Sequence, residues 1–243
     1  MVRLALIGDI HGNLPAFIEV LKDIEKKKVD KIYCMGDLVG YGPWPNRCVD
    51  IVRSICEVDG ELNCCMGNHD YYAVHGEIPD WFKPAARKAI EWTINNVSAE
   101  SKKFLKKLPM HFETEYFDYK FFMVHGSPAN PLKAYIFKGS EELSTARLFM
   151  QENNIQYLIV GHTHYPLKET TFDIVPRWII NPGAIGQPRD DNNEASYCLL
   201  EVNSQLEMIV AIIRIKYDIK KAAKAIEKNG LDKSLAERLY KGQ

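Results

Sequence analysis

Residues 2–13 read Val2-Arg3-Leu4-Ala5-Leu6-Ile7-Gly8-Asp9-Ile10-His11-Gly12-Asn13, and this stretch decides the fold. The run from Val2 to Gly8 is almost continuously apolar, as a strand is when both of its faces are covered. It stops abruptly at Asp9 and His11, set among glycines that let the backbone turn sharply. Asn13 can cap a helix whose apolar residues Leu14, Phe17, Ile18, Leu21 and Ile24 follow the 3.6-residue period. A second short strand is expected at Lys31–Met35, a second helix through Cys48, Ile51, Val52 and Ile55, and a third strand at Leu62–Met66. This β-α-β-α-β order implies a buried parallel layer with right-handed crossovers.

Further along, helices are expected over Pro84–Asn96 and Ser98–Lys107, then a hairpin of Met110–Tyr116 and Lys120–His125 around Phe117-Asp118-Tyr119. Ser140 caps a helix to about Glu152. Extended segments are expected at Tyr157–Val160, Leu167–Thr171, Trp178–Ile180, Ser196–Val202 and Glu207–Lys216, with Asn203-Ser204 joining the last two as a hairpin. Two helices follow, Asp218–Lys228 and Ser234–Tyr240, with Gly230 as the stop between them. The chain thus reads as one mixed α/β domain over 1–216, in which 71–118 is a candidate cap over the site, and a helical tail over 217–243. The tail's stripe of Ile219, Ala222, Ala223 and Ile226 needs something to bury against, either the domain or a second copy of the chain in a homodimer.

Composition narrows the classes. The 243 residues are 46% hydrophobic and 26% charged, ordinary globular usage that excludes a disordered chain, a collagen-like repeat and a coiled-coil rod. The formal net charge is -1, so no global field favours a nucleic-acid coat or membrane adsorption, and no stable nucleic-acid complex is expected. Residues 215–243 nevertheless carry eight Lys/Arg against four Asp/Glu. That surplus reads as a solvated helical surface, or alternatively as a basic rim beside an anionic substrate. None of the six cysteines forms a C-x-x-C pair, so they read as small buried hydrophobes of a reducing compartment. The apolar start is too short for a signal h-region or a membrane span, and a cytoplasmic location is expected.

The chemistry sits at the ends of the strands. Five apolar segments end in Gly8-Asp9-Ile10-His11, Gly36-Asp37, Gly67-Asn68-His69-Asp70, His125-Gly126 and Gly161-His162-Thr163-His164. Carboxyl ends of strands in a parallel layer share one edge, where open α/β sheets bind ligands. Five of the seven histidines fall in these loops. So many Asp and His side chains brought together without a cation would crowd like charges. Imidazole and carboxylate without thiolate suit divalent Mn, Fe, Zn, Co or Ni. Asp9, His11, Asp37, Asn68, His125, His162 and His164 exceed the needs of one tetrahedral site but suit two ions sharing a carboxylate. Such a pair, about 3.5–4 Å apart, clamps the oxygens of an in-line displacement at phosphorus.

In this order, Asp-x-His, Gly-Asp, Gly-Asn-His-Asp, His-Gly and Gly-His-Thr-His resemble the calcineurin-like metallophosphoesterases. The stretches Gly36–Pro43 and Asn181–Arg189 resemble its small prokaryotic phosphodiesterase branch. The resemblance implies a four-layer α/β/β/α sandwich with the metals at one edge. It implies that Asp9, His11, Asp37 and His164 hold a first ion and that Asp37 bridges to a second held by Asn68, His125 and His162. Manganese is the first choice of metal, with iron, zinc, nickel and cobalt as alternatives. His69 would stand over the phosphate as the general acid, with Asp70 orienting it. The activity implied is hydrolysis of phosphomonoesters or phosphodiesters by a metal-bridging hydroxide. A nucleotide substrate, either a dinucleoside polyphosphate or a cyclic nucleotide, is one alternative; a non-catalytic scaffold is another.

The Asp-Arg-Gly run of the family's protein phosphatases is missing, because Gly36-Asp37 continues into Leu38-Val39-Gly40-Tyr41. Arg189 is then the candidate replacement anion contact. Asn13 and Tyr41 complete the candidate substrate contacts, Tyr41 as part of an aromatic platform with Trp44, Tyr71, Tyr72, Trp81 and Phe82. His75 and His111 have no motif around them and read as packing residues. Ser127 lacks the Gly-x-Ser-x-Gly elbow of a serine hydrolase.

Overall fold

A computed structural model describes residues 1–58, 60–171, 176–204 and 208–243. The chain runs β1 (Val2–Ile7), α1 (Leu14–Lys27), β2 (Lys31–Cys34), α2 (Pro45–Cys56), β3 (Glu57–Val58), β4 (Glu61–Leu62), α3 (Asn68–His75), α4 (Pro84–Asn96), α5 (Ala99–Leu105), β5 (His111–Tyr116), β6 (Tyr119–Val124), α6 (Glu141–Glu152), β7 (Tyr157–Ile159), β8 (Leu167–Thr170), β9 (Trp178–Asn181), β10 (Ala195–Val202), β11 (Met208–Ile215), α7 (Ile219–Lys228) and α8 (Lys233–Lys241).

Two large sheets form, ordered β11-β10-β1-β2 and β5-β6-β7-β9-β8, beside a two-stranded pair of β3 and β4. β1 pairs in parallel with β2 and antiparallel with β10. Side chains alternate between sheet faces, so the apolar run of β1 serves two cores. Leu4 and Leu6 join Tyr33 and Met35 against Phe121, Met123, Ile159 and Ile180 of the second sheet. Ala5 and Ile7 face outward onto Phe17, Val20 and Ile24 of α1, beside Val49 and Val52 of α2. Phe122, Val124 and Leu158, on the outer face of the second sheet, meet Leu143, Ala146 and Met150 of α6. The result is a helix, sheet, sheet, helix stack, the four-layer sandwich expected. Fully burying each of these large side chains contributes about 1.5–3 kcal/mol.

Local chemistry fixes the boundaries. Asn13 Oδ1 accepts from the Ala16 N–H at the start of α1, and Ser140 Oγ accepts from Leu143 N–H at the start of α6. In the β5–β6 turn, Phe117 and Asp118 have φ of 53° and 64°, the paired positive values of a tight hairpin. Residues 62–66 differ from expectation. Leu62 pairs antiparallel with Glu57 in the β3–β4 hairpin, and the segment meets β2 only through one parallel bridge, Cys64 to Cys34, rather than as a full strand. The chain leaves the sheet there because Met66 N–H turns to the Pro109 carbonyl, at 2.7 Å. The expected start of the last strand at Glu207 lies outside the described residues.

α7 and α8 pack onto the domain. Ala222, Ala223, Ile226, Leu235 and Leu239 close over Ala89 of α4 and over Tyr41. All six cysteines are buried thiols. Among the described residues no helix is long and apolar enough to cross a membrane.

Candidate metal centre

The carboxyl ends of β1 and β2 in one sheet, and of β6 and β7 in the other, open at the same end of the stack. Asp9 and His11 follow β1, Asp37 follows β2, His125 follows β6, and His162 and His164 follow β7. Asn68 opens α3. The expected convergence is therefore made by loops of two stacked sheets, not by one layer. All seven side chains are buried. Asp9, His11, Asp37, His162 and His164 have positive φ, between 48° and 69°. Gly67 lets α3 enter against Asp37, since a Cβ there would overlap the Asp37 amide and carboxylate.

The donor atoms fall into groups. Ligand atoms of Asp9, His11 and His164 lie within 4.8 Å of one another, as do those of Asp37, His125 and His162, and those of His11, Asp37 and His69. Asp37 stands between the first two groups: its Oδ2 is 3.5 Å from His11 Nε2 and 3.3 Å from His125 Nε2. Its Oδ1 accepts from the His69 backbone N–H at 2.8 Å. Asp9 Oδ2 accepts from His162 N–H at 3.2 Å. Asp9 Oδ1 has no hydrogen-bond partner among the described residues, although His164 Nε2 is 3.3 Å away.

The far sides of the rings settle their tautomers. Nδ1 of His11 donates to Val39 O at 2.9 Å, that of His125 to Met35 O at 2.7 Å, and that of His164 to Gln187 O at 2.6 Å. A carbonyl oxygen only accepts, so each Nδ1 carries a proton, and in a neutral ring each Nε2 presents a lone pair. Yet His11 Nε2 and His164 Nε2 are 3.0 Å apart, and His125 Nε2 is 3.1 Å from both Asn68 Oδ1 and His162 Nδ1. For the neutral His11 and His164 rings this sets two acceptors face to face, and they repel unless a cation shares them. The donor set thus fits divalent metal ions.

Electrostatics point the same way. Burial holds His11, His162 and His164 well below the ordinary imidazole range and brings His69 down to about 4, so these rings are neutral at pH 7 and free to ligate. Burial pushes Asp9 up to about 7. Burial is the largest single effect on Asp37 and His125 and disfavours the charge of both, but their neighbours together outweigh it, His125 and His69 foremost for Asp37, and Asp37 and Asp9 for His125. The Asp37 carboxyl is held well below its usual range and the His125 imidazole is raised to about 9.

A cleft of about 510 Å³ opens beside these groups. Asp37, Asn68, His69, His162 and His164 form its floor, with Tyr41 and Arg189 in its wall. Arg189 Nη2 donates to Tyr41 Oη at 3.2 Å and to Gln187 Oε1 at 3.3 Å. Trp81, Phe82 and Lys83, from the 71–118 segment, line the other side.

Two expected contacts lie elsewhere. The Asn13 carboxamide is committed to the fold, its Nδ2 donating to Gly186 O at 2.8 Å and its Oδ1 capping α1. Asp70 does not orient the His69 ring. Its Oδ1 accepts from Leu38 and Val39 N–H at 2.8 and 3.2 Å, its Oδ2 accepts from Gly67 N–H at 3.1 Å, and His69 Nδ1 has no hydrogen-bond partner among the described residues. His75 stacks on Tyr71 and His111 on Phe122, as packing residues do. Sequence reading gave no role to Gln187, whose carbonyl fixes His164, or to Tyr135, whose ring stacks 4.0 Å from that of His162.

Comparison with known proteins agrees with this architecture. A family model described as the calcineurin-like phosphoesterase superfamily domain matches residues 2–205. An uncharacterized protein of Methanocaldococcus jannaschii is 36% identical, over 99% of this chain and 98% of its own. The phosphodiesterase YfcE of Escherichia coli is 26% identical, over 86% of this chain and 92% of its own. A solved metallophosphoesterase from Sphaerobacter thermophilus is 32% identical with a TM-score of 0.81, covering 100% of this chain and 99% of its own. A hypothetical protein of Pyrococcus horikoshii, 23% identical over 100% of this chain and 99% of its own, has the same fold with a TM-score of 0.84.

Proposed function

The chain belongs to the calcineurin-like phosphoesterase superfamily and is a metal-dependent hydrolase of phosphoester bonds; from that premise we propose a two-metal phosphoesterase acting on small-molecule phosphomonoesters or phosphodiesters. One observation carries the reading: Asp37 Oδ2 lies within 3.5 Å of both His11 Nε2 and His125 Nε2, so the two donor groups share one carboxylate. Asp9, His11, Asp37 and His164 would hold the first ion, and Asp37, Asn68, His125 and His162 the second. Manganese is the proposed metal, with iron, zinc, nickel and cobalt able to use the same donors. When bound, two such ions supply Lewis acidity at phosphoryl oxygens and acidify a coordinated water.

The chain's own groups do the rest. His69 lines the cleft beside the Asp37 group, against Tyr41 and Phe82; a phosphate anion beside it favours the protonated ring, which then gives its extra proton to the leaving oxygen and returns to the neutral imidazole. Arg189 adds a fixed positive charge to the wall and steadies Tyr41. Asp70 acts one step removed, by tying the Asp37 loop to α3. The cap assigned to 71–118 is, on this reading, the Trp81–Lys83 wall of the cleft.

Metal stoichiometry after chelation and reloading tests the reading directly. The expected result is two manganese ions per chain for the natural sequence. Asp37→Asn is expected to hold no more than one tightly and to lose at least about 100-fold in turnover of bis(p-nitrophenyl) phosphate. A single ion in the unaltered chain, or two retained at undiminished affinity by Asp37→Asn, would sink the shared-carboxylate arrangement.

A further inference from the structure

Arg238 lines the same cleft as His69 and Arg189, although it comes from α8, more than 160 residues beyond His69 in the chain. It is half-buried, and among the described residues its guanidinium has neither a carboxylate in ion-pair range nor a hydrogen-bond acceptor. Its position is built. Gly242, with φ of 71°, presses on Asn192 so closely that a Cβ there would lie 2.5 Å from the Asn192 carbonyl carbon. Asp191 N–H donates to Gly242 O at 2.9 Å, and Asn193 Nδ2 donates to Tyr240 O at 3.0 Å. Gln243 Nε2 donates to Asp191 Oδ1 at 3.1 Å, which engages the carboxylate of that part of the rim. The tail is therefore latched to the loop that follows Arg189, and the latch brings a second arginine to the cleft. Two guanidinium groups that have no ion-pair partner among the described residues thus line one cleft, with Lys83 as a third cation against Asp37 and Asp191, and that surplus suits more negative charge than one phosphoryl group brings.

We propose that Arg238 is a specificity-determining residue that receives a second anionic group, carried on the organic part of the phosphoester. This rests on the phosphoesterase reading and deepens it. The substrate class it selects is phosphoesters that bear a further phosphate, of which nucleoside bisphosphate esters are representative. The exposed Trp81 and buried Phe82, with ring centroids 4.7 Å apart, offer the moiety between the two anions an aromatic wall.

Calorimetric titration of the manganese-loaded full chain with thymidine 3′,5′-bisphosphate and with thymidine 5′-phosphate tests it. The bisphosphate is expected to bind about tenfold more tightly, the size of one partly shielded charge-assisted contact. In Arg238→Gln, where glutamine keeps helix propensity, that ratio is expected to fall to about one. Arg238→Lys, which keeps the charge but loses the planar fork, is expected to fall between. Equal affinities in the natural sequence, or an undiminished ratio in Arg238→Gln, overturns the proposal. Turnover of the p-nitrophenyl ester of thymidine 5′-phosphate is followed in parallel. No turnover with any transition metal, alongside the stated affinity ratios, would remove the two-metal reading and leave the Arg238 site standing.

Discussion

Five of the seven candidate ligands hold a backbone conformation that costs about 1–3 kcal/mol for a residue other than glycine. Asp and His tolerate the left-handed region better than most, and here it turns Asp9, His11, Asp37, His162 and His164 out of strand geometry toward a common point. His69 differs from them. It sits in helical backbone at the start of α3, and its Nδ1 has no hydrogen-bond partner among the described residues. His69→Ala is therefore expected to keep its metal content while turnover falls by about 10²–10⁴-fold, the usual worth of general acid catalysis. Metal analysis beside a steady-state assay decides it; loss of an ion in that variant would make His69 a ligand. The ligand types were legible in the sequence because Asp and His interrupt apolar runs at five places. Their anchors were not, since Val39, Met35 and Gln187 act through backbone carbonyls, which every residue type possesses.

Among the elements, β1 and β2 were legible as short apolar runs, and α1 and α2 from the 3.6-residue period of their apolar residues, with the Asn13 cap as a further sign for α1. α3 was not. Its first residues carry the Gly67-Asn68-His69-Asp70 motif, which reads as a turn, and its eight residues are too few to show a period. Nor could an apolar run reveal that β1 and β6 lie in different sheets, because both are covered on two sides in either arrangement. α3 gains its place through Asp70, whose two oxygens take three backbone N–H groups from Leu38, Val39 and Gly67. Removing a buried acceptor strands its donors, at about 1–3 kcal/mol each. Asp70→Ala is accordingly expected to lower stability in urea melts by at least that amount and to weaken manganese binding, because the Asp37 loop loses its tie. The alkaline limb of the rate profile, where a general acid loses its proton, should keep its position, since Asp70 does not touch the His69 ring. A displaced limb with unaltered metal affinity would restore the orienting role to Asp70.

At the scale of the molecule, the candidate centre joins the two sheets. Asp9, His11 and Asp37 come from the β1–β2 side, and His125, His162 and His164 from the β6–β7 side. The apolar layer of Leu4, Leu6, Met35, Met123, Ile159 and Ile180 already holds the sheets together, but it ends where the polar cluster begins. A cation there removes the repulsion of facing lone pairs and binds only when both sheets are in place. Ligand that binds the folded state alone stabilises it by about 2.7 kcal/mol at a free concentration 100 times its dissociation constant. For a chain of this size one such site is expected to raise the melting temperature by about 5–10 °C. Chelated and manganese-loaded protein should therefore separate by at least that interval in a thermal scan, and the gap should narrow in Asp37→Asn, where the shared carboxylate is neutralised. Coincident melting curves at saturating metal would mean that bound ions do not tie the sheets together, and the centre would then have to lie on one sheet alone.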